Sequence, residues 1–154
     1  MKEIHFINKI KKLITLLNAK GLKVVCCHEQ QILSLEEKQG KLPRFYKIYL
    51  LLIGFYSGDF KSGTDILFEE IDDINFYSIE LMKENHIKPP ENMFSFLLHQ
   101  GYSSLFFVDR DDEDPPIYCY TEGSEIKKME YKFSKYLLAE IDLYKKHQCN
   151  DVFL

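Results

Sequence analysis

The feature that most constrains the fold is a short segment, residues 43–54, that is apolar on nearly every side. It begins at Pro43, and proline suits the first turn of a helix because the N–H that it lacks would have no intrahelical partner there. It ends at Gly54, and glycine commonly terminates helices. A helix that is apolar around its whole circumference is stable only when other elements surround it. The segment therefore predicts a central helix against which the rest of the chain packs.

Further helices are predicted where apolar residues recur at three- and four-residue steps. They cover residues 4–19, 28–39, 74–85 and 132–147. Asp72 or Asp73 is expected to cap the helix at 74–85, because a carboxylate can accept a hydrogen bond from an unpaired helical N–H. Between the helices, we expect an extended linker at 22–26, a glycine-containing loop at 54–63 and a short strand at 65–68.

The periodicity changes after residue 92. Short runs of aromatic and branched residues then alternate with turn-forming residues, which is typical of an antiparallel meander. The runs are residues 93–98, 105–109 and 117–120, with a further candidate strand at 126–129. N-terminal helices packed on a meander, with a closing C-terminal helix, predict an α+β fold. Because no long linker or internal repeat divides the chain, one domain is expected over residues 1–154.

The charge of the chain bears on its partners. The formal net charge is −4 and the isoelectric point is about 5.7. Nucleic-acid binding is not expected, because phosphate contacts need clustered Lys and Arg residues. A mildly acidic protein suits a basic protein partner, and it suits ordinary solubility equally well.

The cysteines and the apolar segments bear on location. Cys26, Cys27, Cys119 and Cys149 form no CxxC pair, a pattern typical of reduced thiols in a cytosol. The N-terminal residues lack the features of a signal peptide, and the apolar run at 49–56 is too short to span a bilayer. We therefore expect a cytoplasmic protein with no membrane partner.

Three stretches, taken together, resemble the SUKH superfamily, which includes the fungal cell-wall assembly regulator and many bacterial immunity proteins. The first contains Leu35-Glu36, Gly40, Leu42-Pro43, Phe45-Tyr46 and Gly54. The second runs from Phe94 to Tyr102 and continues with Phe106-Phe107 and with Asp114-Pro115-Pro116-Ile117-Tyr118. The third is Phe133 to Leu137. The resemblance covers residues 28–145, and the loop after the third helix departs from it by lacking an Asn-Gly-rich character.

The resemblance implies a binding protein. Bacterial members of the superfamily are antidotes encoded beside polymorphic toxins, many of which act on nucleic acids, whereas fungal members are signalling scaffolds. The superfamily has no shared catalytic residues, so the resemblance implies no enzyme activity, cofactor or metal. We therefore expect an immunity protein, a monomer or weak homodimer, that neutralises a cognate toxin domain by stoichiometric occlusion, with a nuclease as one candidate target. The alternative is a regulatory or scaffold module with a non-toxin partner.

The acidic run at 109–114 is the candidate partner-binding segment. Its carboxylates belong to Asp109, Asp111, Asp112, Glu113 and Asp114. Opposed potentials speed encounter and fix orientation, and nuclease sites are basic because they hold phosphates. The alternative is a solvated hairpin turn between two aromatic strands. A calcium loop is not expected, because Asp114 stands where such a loop needs glycine.

Exposed aromatic rings are the other interface candidates, namely Tyr56, Phe60 and Tyr102. Aromatic residues often anchor interfaces, and core packing is the alternative for each ring. A second acidic group contains Glu69, Glu70, Asp72 and Asp73. Negative charge near a helix start is favourable in itself, and a face shared with the acidic run is the alternative.

Two groups of residues suggest a metal site or a catalytic base, but each lacks the partner residues that such a site requires. Cys26, Cys27 and His28 are adjacent, but a structural zinc site requires a second ligand pair at suitable spacing. His99 could act as a general base only beside a positioned partner such as Asp109 on a neighbouring strand. Hydrogen bonding within its turn is the alternative for His99.

Overall fold

The structure is a computed structural model that describes residues 1–152, with side chains described as far as Gln148. The side chain of Cys149 therefore lies outside the described residues. The helices are α1 (Glu3–Ala19), α2 (Glu29–Gln39), α3 (Arg44–Ile53), α4 (Ile71–Glu84) and α5 (Phe133–Val152). The strands are β1 (Val24–Val25), β2 (Tyr56–Ser57), β3 (Phe94–His99), β4 (Ser103–Phe107), β5 (Pro116–Thr121) and β6 (Lys127–Lys132). No helix within the described range is both long and apolar enough to cross a bilayer.

Strands β3 to β6 form an antiparallel sheet in which each strand pairs with its neighbour in sequence. The predicted meander and the α+β class are confirmed. Side chains alternate between the two faces of a strand, so Phe94 and Phe96 lie on one face of β3 and Ser95 lies on the other. An irregularity in the pairing between Ser95 and Leu97 brings Leu97 into the same core as Phe96.

The inner face of the sheet is covered by α1, α3 and α5. Helix α3 lies at the centre of this core, as its sequence predicts. The ring of Tyr46 lies between 5.5 and 6.2 Å, centroid to centroid, from four phenylalanine rings, those of Phe94, Phe96, Phe107 and Phe133. Aromatic pairs in such edge-on arrangements stabilise a core beyond the area that they bury. One side of α3 remains half-buried, because Ile48 and Leu51 line a cleft of about 320 Å³ shared with α2.

The outer face of the sheet is covered by α4. Leu81 and Met82 pack there against Phe106 and Tyr120 in a second, smaller core. The Asn75 side chain donates to the Ser95 carbonyl at 3.0 Å and accepts from the Ser95 N–H at 2.8 Å. Because β3 is an edge strand, these two bonds satisfy backbone groups that would otherwise be open to pairing with another chain.

The segment before α4 differs from its prediction. Residues 65–68 do not form a strand of the sheet; Asp65 makes a single bridge to Leu98, and a 3₁₀ turn follows at Phe68–Glu70. This turn leads directly into α4, so Asp72 and Asp73 lie inside the first turn of the helix and do not cap it. The Glu70 carboxylate instead accepts from the Leu67 N–H at 3.0 Å, and burial raises the pKa of Glu70.

A small second sheet occupies the segments predicted as a linker and a loop. Val24 pairs with Ser57, and Val25 pairs with Tyr56. Each strand has only two residues, which is too few for an alternating pattern to show in the sequence. The pair positions the loop that follows β2 beside the end of α1.

Candidate partner-binding surface

The acidic run joins β4 to β5 and lies against the start of α3. The N–H of Phe45, in the first turn of α3, donates to the carbonyl of Glu113 at 2.9 Å. This bond satisfies one of the helix N–H groups that have no intrahelical partner. The run is therefore joined to the central helix of the fold, and it does not project freely into solvent.

Arg110, the one cation in this run, turns inward and fixes the run to the α2–α3 connection. Its Nε donates to the Lys41 carbonyl at 2.9 Å, and its Nη2 donates to the Gln39 carbonyl. Its Nη1 reaches the Asn92 carbonyl at 3.4 Å, and the guanidinium lies 5.5 Å from the centroid of the Phe94 ring. Burial lowers the pKa of Arg110, but three acceptors and an aromatic face replace the lost water.

Gly40 makes this anchoring possible. Its φ is +87°, a conformation that residues with a Cβ rarely adopt, and a Cβ there would lie 3.2 Å from Nη2 of Arg110. The glycine that ends α2 therefore leaves room for the guanidinium to reach the backbone.

Within the run, two carboxylates serve the structure of the chain. Asp112 Oδ1 accepts from the Asp114 N–H at 2.9 Å, which closes a local turn. The Asp114 carboxylate accepts from the N–H and the hydroxyl of Ser134, at 2.9 and 2.5 Å, at the start of α5. Asp114 is buried. It was predicted as an interface residue, and this is corrected, because its side chain is committed to holding the closing helix.

Replacing Asp114 with alanine is expected to lower the free energy of unfolding by about 2–3 kcal/mol, because hydrogen bonds to a charged group and a helix cap are lost together. Urea denaturation followed by circular dichroism measures this change. Asp109→Ala is the matched control, since Asp109 is exposed, and its effect should stay within about 0.5 kcal/mol. Equal effects of the two substitutions would show that the Asp114 carboxylate does not stabilise α5.

Four carboxylates of the run are exposed, Asp112 included, namely those of Asp109, Asp111, Asp112 and Glu113. Among the described residues only Asp111 forms a salt bridge, to Lys41 at 3.3 Å, and its side chain is 97% exposed. Such a pair contributes little, about 0–1 kcal/mol. We call these four residues the acidic turn. It borders a cleft of about 250 Å³ that also contains Arg44 and Lys47.

The cations beside the acidic turn are paired with other acids. Arg44 binds the Glu3 carboxylate, and this hydrogen-bonded pair raises the pKa of Arg44 and lowers the pKa of Glu3. Lys47 lies 3.7 Å from a carboxylate oxygen of Glu36. Among the described residues, the negative charge of the acidic turn is offset by Lys41, which pairs with Asp111, and in part by Arg44, whose pKa the nearby Glu113 charge also raises.

Two of the three predicted aromatic contacts, Phe60 and Tyr102, do not join the acidic turn. Phe60 is buried, with its ring 5.9 Å from that of Tyr144, so its prediction as an interface residue is corrected. Tyr56 on β2 and Tyr102 in the β3–β4 turn are 43% and 41% exposed. Tyr102 lies at the opposite end of β4 from the acidic turn, a separation of roughly 17 Å for a five-residue strand. The structure thus separates residues that the sequence could only group by type.

The structure also shows the surroundings of His99 and of the adjacent cysteines Cys26 and Cys27. The His99 ring lies 2.8 Å from the Thr64 hydroxyl, at the end of the sheet away from Asp109, so the suggested His99–Asp109 pair does not form. Cys26 is exposed whereas Cys27 is buried. Among the described side chains, which end at Gln148, no group of three or more potential ligands is placed to hold a metal ion.

Sequence reasoning missed the outward face of α4. Phe76 and Tyr77 are exposed there, with their rings in edge-on contact at 5.1 Å. A helical projection could have found them, because they lie opposite the buried stripe of Ile74, Ser78 and Leu81. The second acidic group begins this helix, where Asp72 contacts Lys38 at 3.7 Å.

Comparisons with protein-family models, with curated proteins and with solved structures found no match for this chain. The chain's own surfaces are therefore the basis for inferring its function. Two surfaces stand out: the acidic turn, which exposes carboxylates, and the outward face of α4, which exposes aromatic rings.

Proposed function

We propose that this chain is a protein-binding protein of SUKH type that neutralises a basic toxin domain by covering it. The observation that carries the proposal is the acidic turn, whose exposed carboxylates are held on an ordered loop by the half-buried side chain of Arg110. The resemblance of the sequence to the SUKH superfamily supports a toxin as the partner.

Order in the acidic turn matters because binding costs conformational entropy. A mobile loop must be immobilised when a partner binds, at about 0.5–1.5 kcal/mol for each flexible side chain. Here the loop backbone is already bound to α2, α3 and α5 through Arg110, Glu113 and Asp114. Less ordering is then left to the binding step, so more of the interaction energy contributes to affinity.

The charge of the acidic turn suits a basic surface such as a phosphate-binding nuclease site. Carboxylates at the tip of a turn attract cations over roughly one Debye length, about 8–10 Å at physiological salt. Complementary potentials of this kind raise association rates and orient the partner before contact. A protein that covers the basic site excludes its substrate without any chemistry of its own.

Co-expression tests the proposal directly. The protein encoded beside this chain in its genome is produced in a bacterial host with and without this chain. We expect that protein alone to arrest growth, and this chain to restore growth and to co-purify with it in equal amounts. Growth that stays arrested, or a neighbour that is harmless by itself, contradicts the toxin proposal. A stable complex with a harmless neighbour would favour the scaffold alternative.

Charge reversal in the acidic turn should slow association with that partner. Asp109→Lys combined with Asp111→Lys is the suitable variant, since the Asp112 carboxylate is needed inside the turn. We expect the association rate constant at low salt to fall about tenfold and to lose most of its salt dependence. Stopped-flow measurements at low and high salt provide both quantities.

The matched control for charge is Glu122→Lys combined with Glu125→Lys. Both residues are exposed, and they lie in the β5–β6 turn at the far end of the sheet. This control changes the net charge by the same amount, so a general charge effect would slow both variants alike. Equal slowing would remove the acidic turn from the interface.

A further inference from the structure

The outward face of α4 carries the two most exposed aromatic side chains among the described residues. Phe76 is 58% exposed and Tyr77 is 56% exposed. Single exposed apolar residues are common on protein surfaces, but adjacent large rings on one helix face form a patch, and patches mark interaction sites. The rings contact each other edge to face, with an interplanar angle of 86°. They are thus already packed as a pair before any partner arrives.

Acidic residues surround this aromatic pair. We define the α4 face as Glu69, Asp73, Phe76, Tyr77, Glu80 and Glu84. Residues 69–84 contain six acidic residues and one lysine, a net charge of −5 in a chain whose total is −4. Four of these carboxylates, those of Glu69, Asp73, Glu80 and Glu84, belong to the α4 face that also exposes the rings.

We propose that the α4 face is a docking site for a basic amphipathic helix of a partner protein. Apolar side chains of that helix would contact Phe76 and Tyr77, and its cations would pair with the flanking carboxylates. Aromatic anchors at the centre of a contact with charges at its rim are the usual anatomy of a protein interface.

The spacing on α4 specifies the partner further. Asp73 and Glu80 are seven residues apart, which is about 10 Å along a helix axis. The rings lie between them, at the third and fourth positions after Asp73. A partner helix with cations seven residues apart and two apolar residues between them matches this arrangement. Two helices packed side by side have the same rise per residue, so side chains with equal spacing can meet along the contact.

Charge excludes the other occupants of such a face. A second copy of the chain would bring two segments of net charge −5 together, and opposed like charges disfavour binding. Phosphate-rich partners, nucleic acids and anionic lipids alike, are repelled for the same reason. A basic helix is the occupant that both the apolar and the charged parts of the face attract.

A synthetic peptide tests the docking site without knowledge of the natural partner. The peptide is a helical lysine–leucine sequence with two adjacent leucines flanked by lysines seven residues apart, and it carries a fluorescent label. A scrambled peptide of the same composition is the comparison. We expect the patterned peptide to bind the full chain, measured by fluorescence anisotropy, and the scrambled peptide to bind at least about tenfold more weakly.

Phe76→Ser combined with Tyr77→Ser should weaken peptide binding at least about tenfold without changing the charge of the protein. The control is Ile4→Ser combined with Leu143→Ser, which removes two apolar residues exposed elsewhere on the surface. Asp73→Lys with Glu80→Lys should weaken binding more than Glu122→Lys with Glu125→Lys, although both double variants change the charge equally.

Three outcomes overturn the proposal. One is equal binding of the patterned and scrambled peptides, which includes no binding of either. Another is patterned-peptide binding that survives the loss of both rings. The third is a dimer in sedimentation velocity that the ring substitutions dissociate, which would make a second copy the occupant. These outcomes are independent of toxin neutralisation, because the peptide assay does not use the proposed partner of the acidic turn.

Discussion

Replacing Phe133 with alanine is expected to lower the free energy of unfolding by about 3–5 kcal/mol. Phe133 is the first residue of α5, and its ring is fully buried where the closing helix meets the sheet. Its centroid lies between 5.3 and 6.3 Å from five other rings, those of Phe6, Tyr46, Tyr49, Phe96 and Phe107. Close packing on all sides prevents the core from collapsing into the space left behind, so the full cavity cost applies.

Guanidinium denaturation, monitored by circular dichroism and by tyrosine fluorescence, measures this loss. Phe76→Ala is the control, because it removes the same side chain from an exposed position on α4. Its effect should remain within about 0.5 kcal/mol. A domain of this size is typically stable by about 5–15 kcal/mol, so the Phe133 variant should still fold and be measurable. Losses of similar size in both variants would show that the ring cluster is not the centre of the core.

Phe133 also connects the core to the acidic turn. Its N–H donates to the Pro115 carbonyl at 3.0 Å, and the next residue, Ser134, holds the Asp114 carboxylate. Loosening the first turn of α5 therefore releases the C-terminal end of the acidic run. The ring cluster stabilises the fold and, through these bonds, keeps the proposed binding surface in place.

The sequence predicted the fold where its signals are local and repeated. The apolar helix at 43–54 and the alternating runs after residue 92 correspond to α3 and to the meander. It failed where few residues carry the signal or where a distant contact decides. The two-residue strands β1 and β2 show no pattern, and the strand expected at 65–68 reduces to the single bridge from Asp65 to Leu98.

The candidate site shows the same division. The acidic run is visible in the sequence, but the directions of its side chains are not. Arg110 turns inward because it donates hydrogen bonds to the carbonyls of Gln39 and Lys41, which lie about 70 residues earlier in the chain. Asp114 is buried because Ser134 lies 20 residues later at the start of α5. The sequence gives the number of charged side chains in the run, but tertiary contacts determine which of them are exposed to solvent.

Cys27 is expected to react with iodoacetamide about a thousandfold more slowly than an ordinary cysteine in the native protein. Burial raises the pKa of the Cys27 thiol to about 12, and only the thiolate is nucleophilic. Near pH 8 the thiolate fraction then falls to roughly 10⁻⁴, against about a quarter for a free thiol with a pKa near 8.5. Its neighbour Cys26 is exposed, so two adjacent residues should differ in modification by orders of magnitude.

Single-cysteine variants make this comparison clean. Cys119 and Cys149 are replaced by serine throughout, and Cys26→Ser or Cys27→Ser then leaves one thiol to follow by mass spectrometry. In strong denaturant both variants should react at the same rate.

The pH dependence of stability gives a second measurement of the Cys27 pKa. A group whose pKa is raised by folding stabilises the native state fully below its unfolded pKa, and it loses that contribution as pH rises. The variant that retains Cys27 should therefore lose about 2 kcal/mol more stability between pH 8 and pH 10 than Cys27→Ser does. Rapid native alkylation of Cys27, or parallel pH profiles of the two variants, would place that thiol at the surface and contradict its burial in the core.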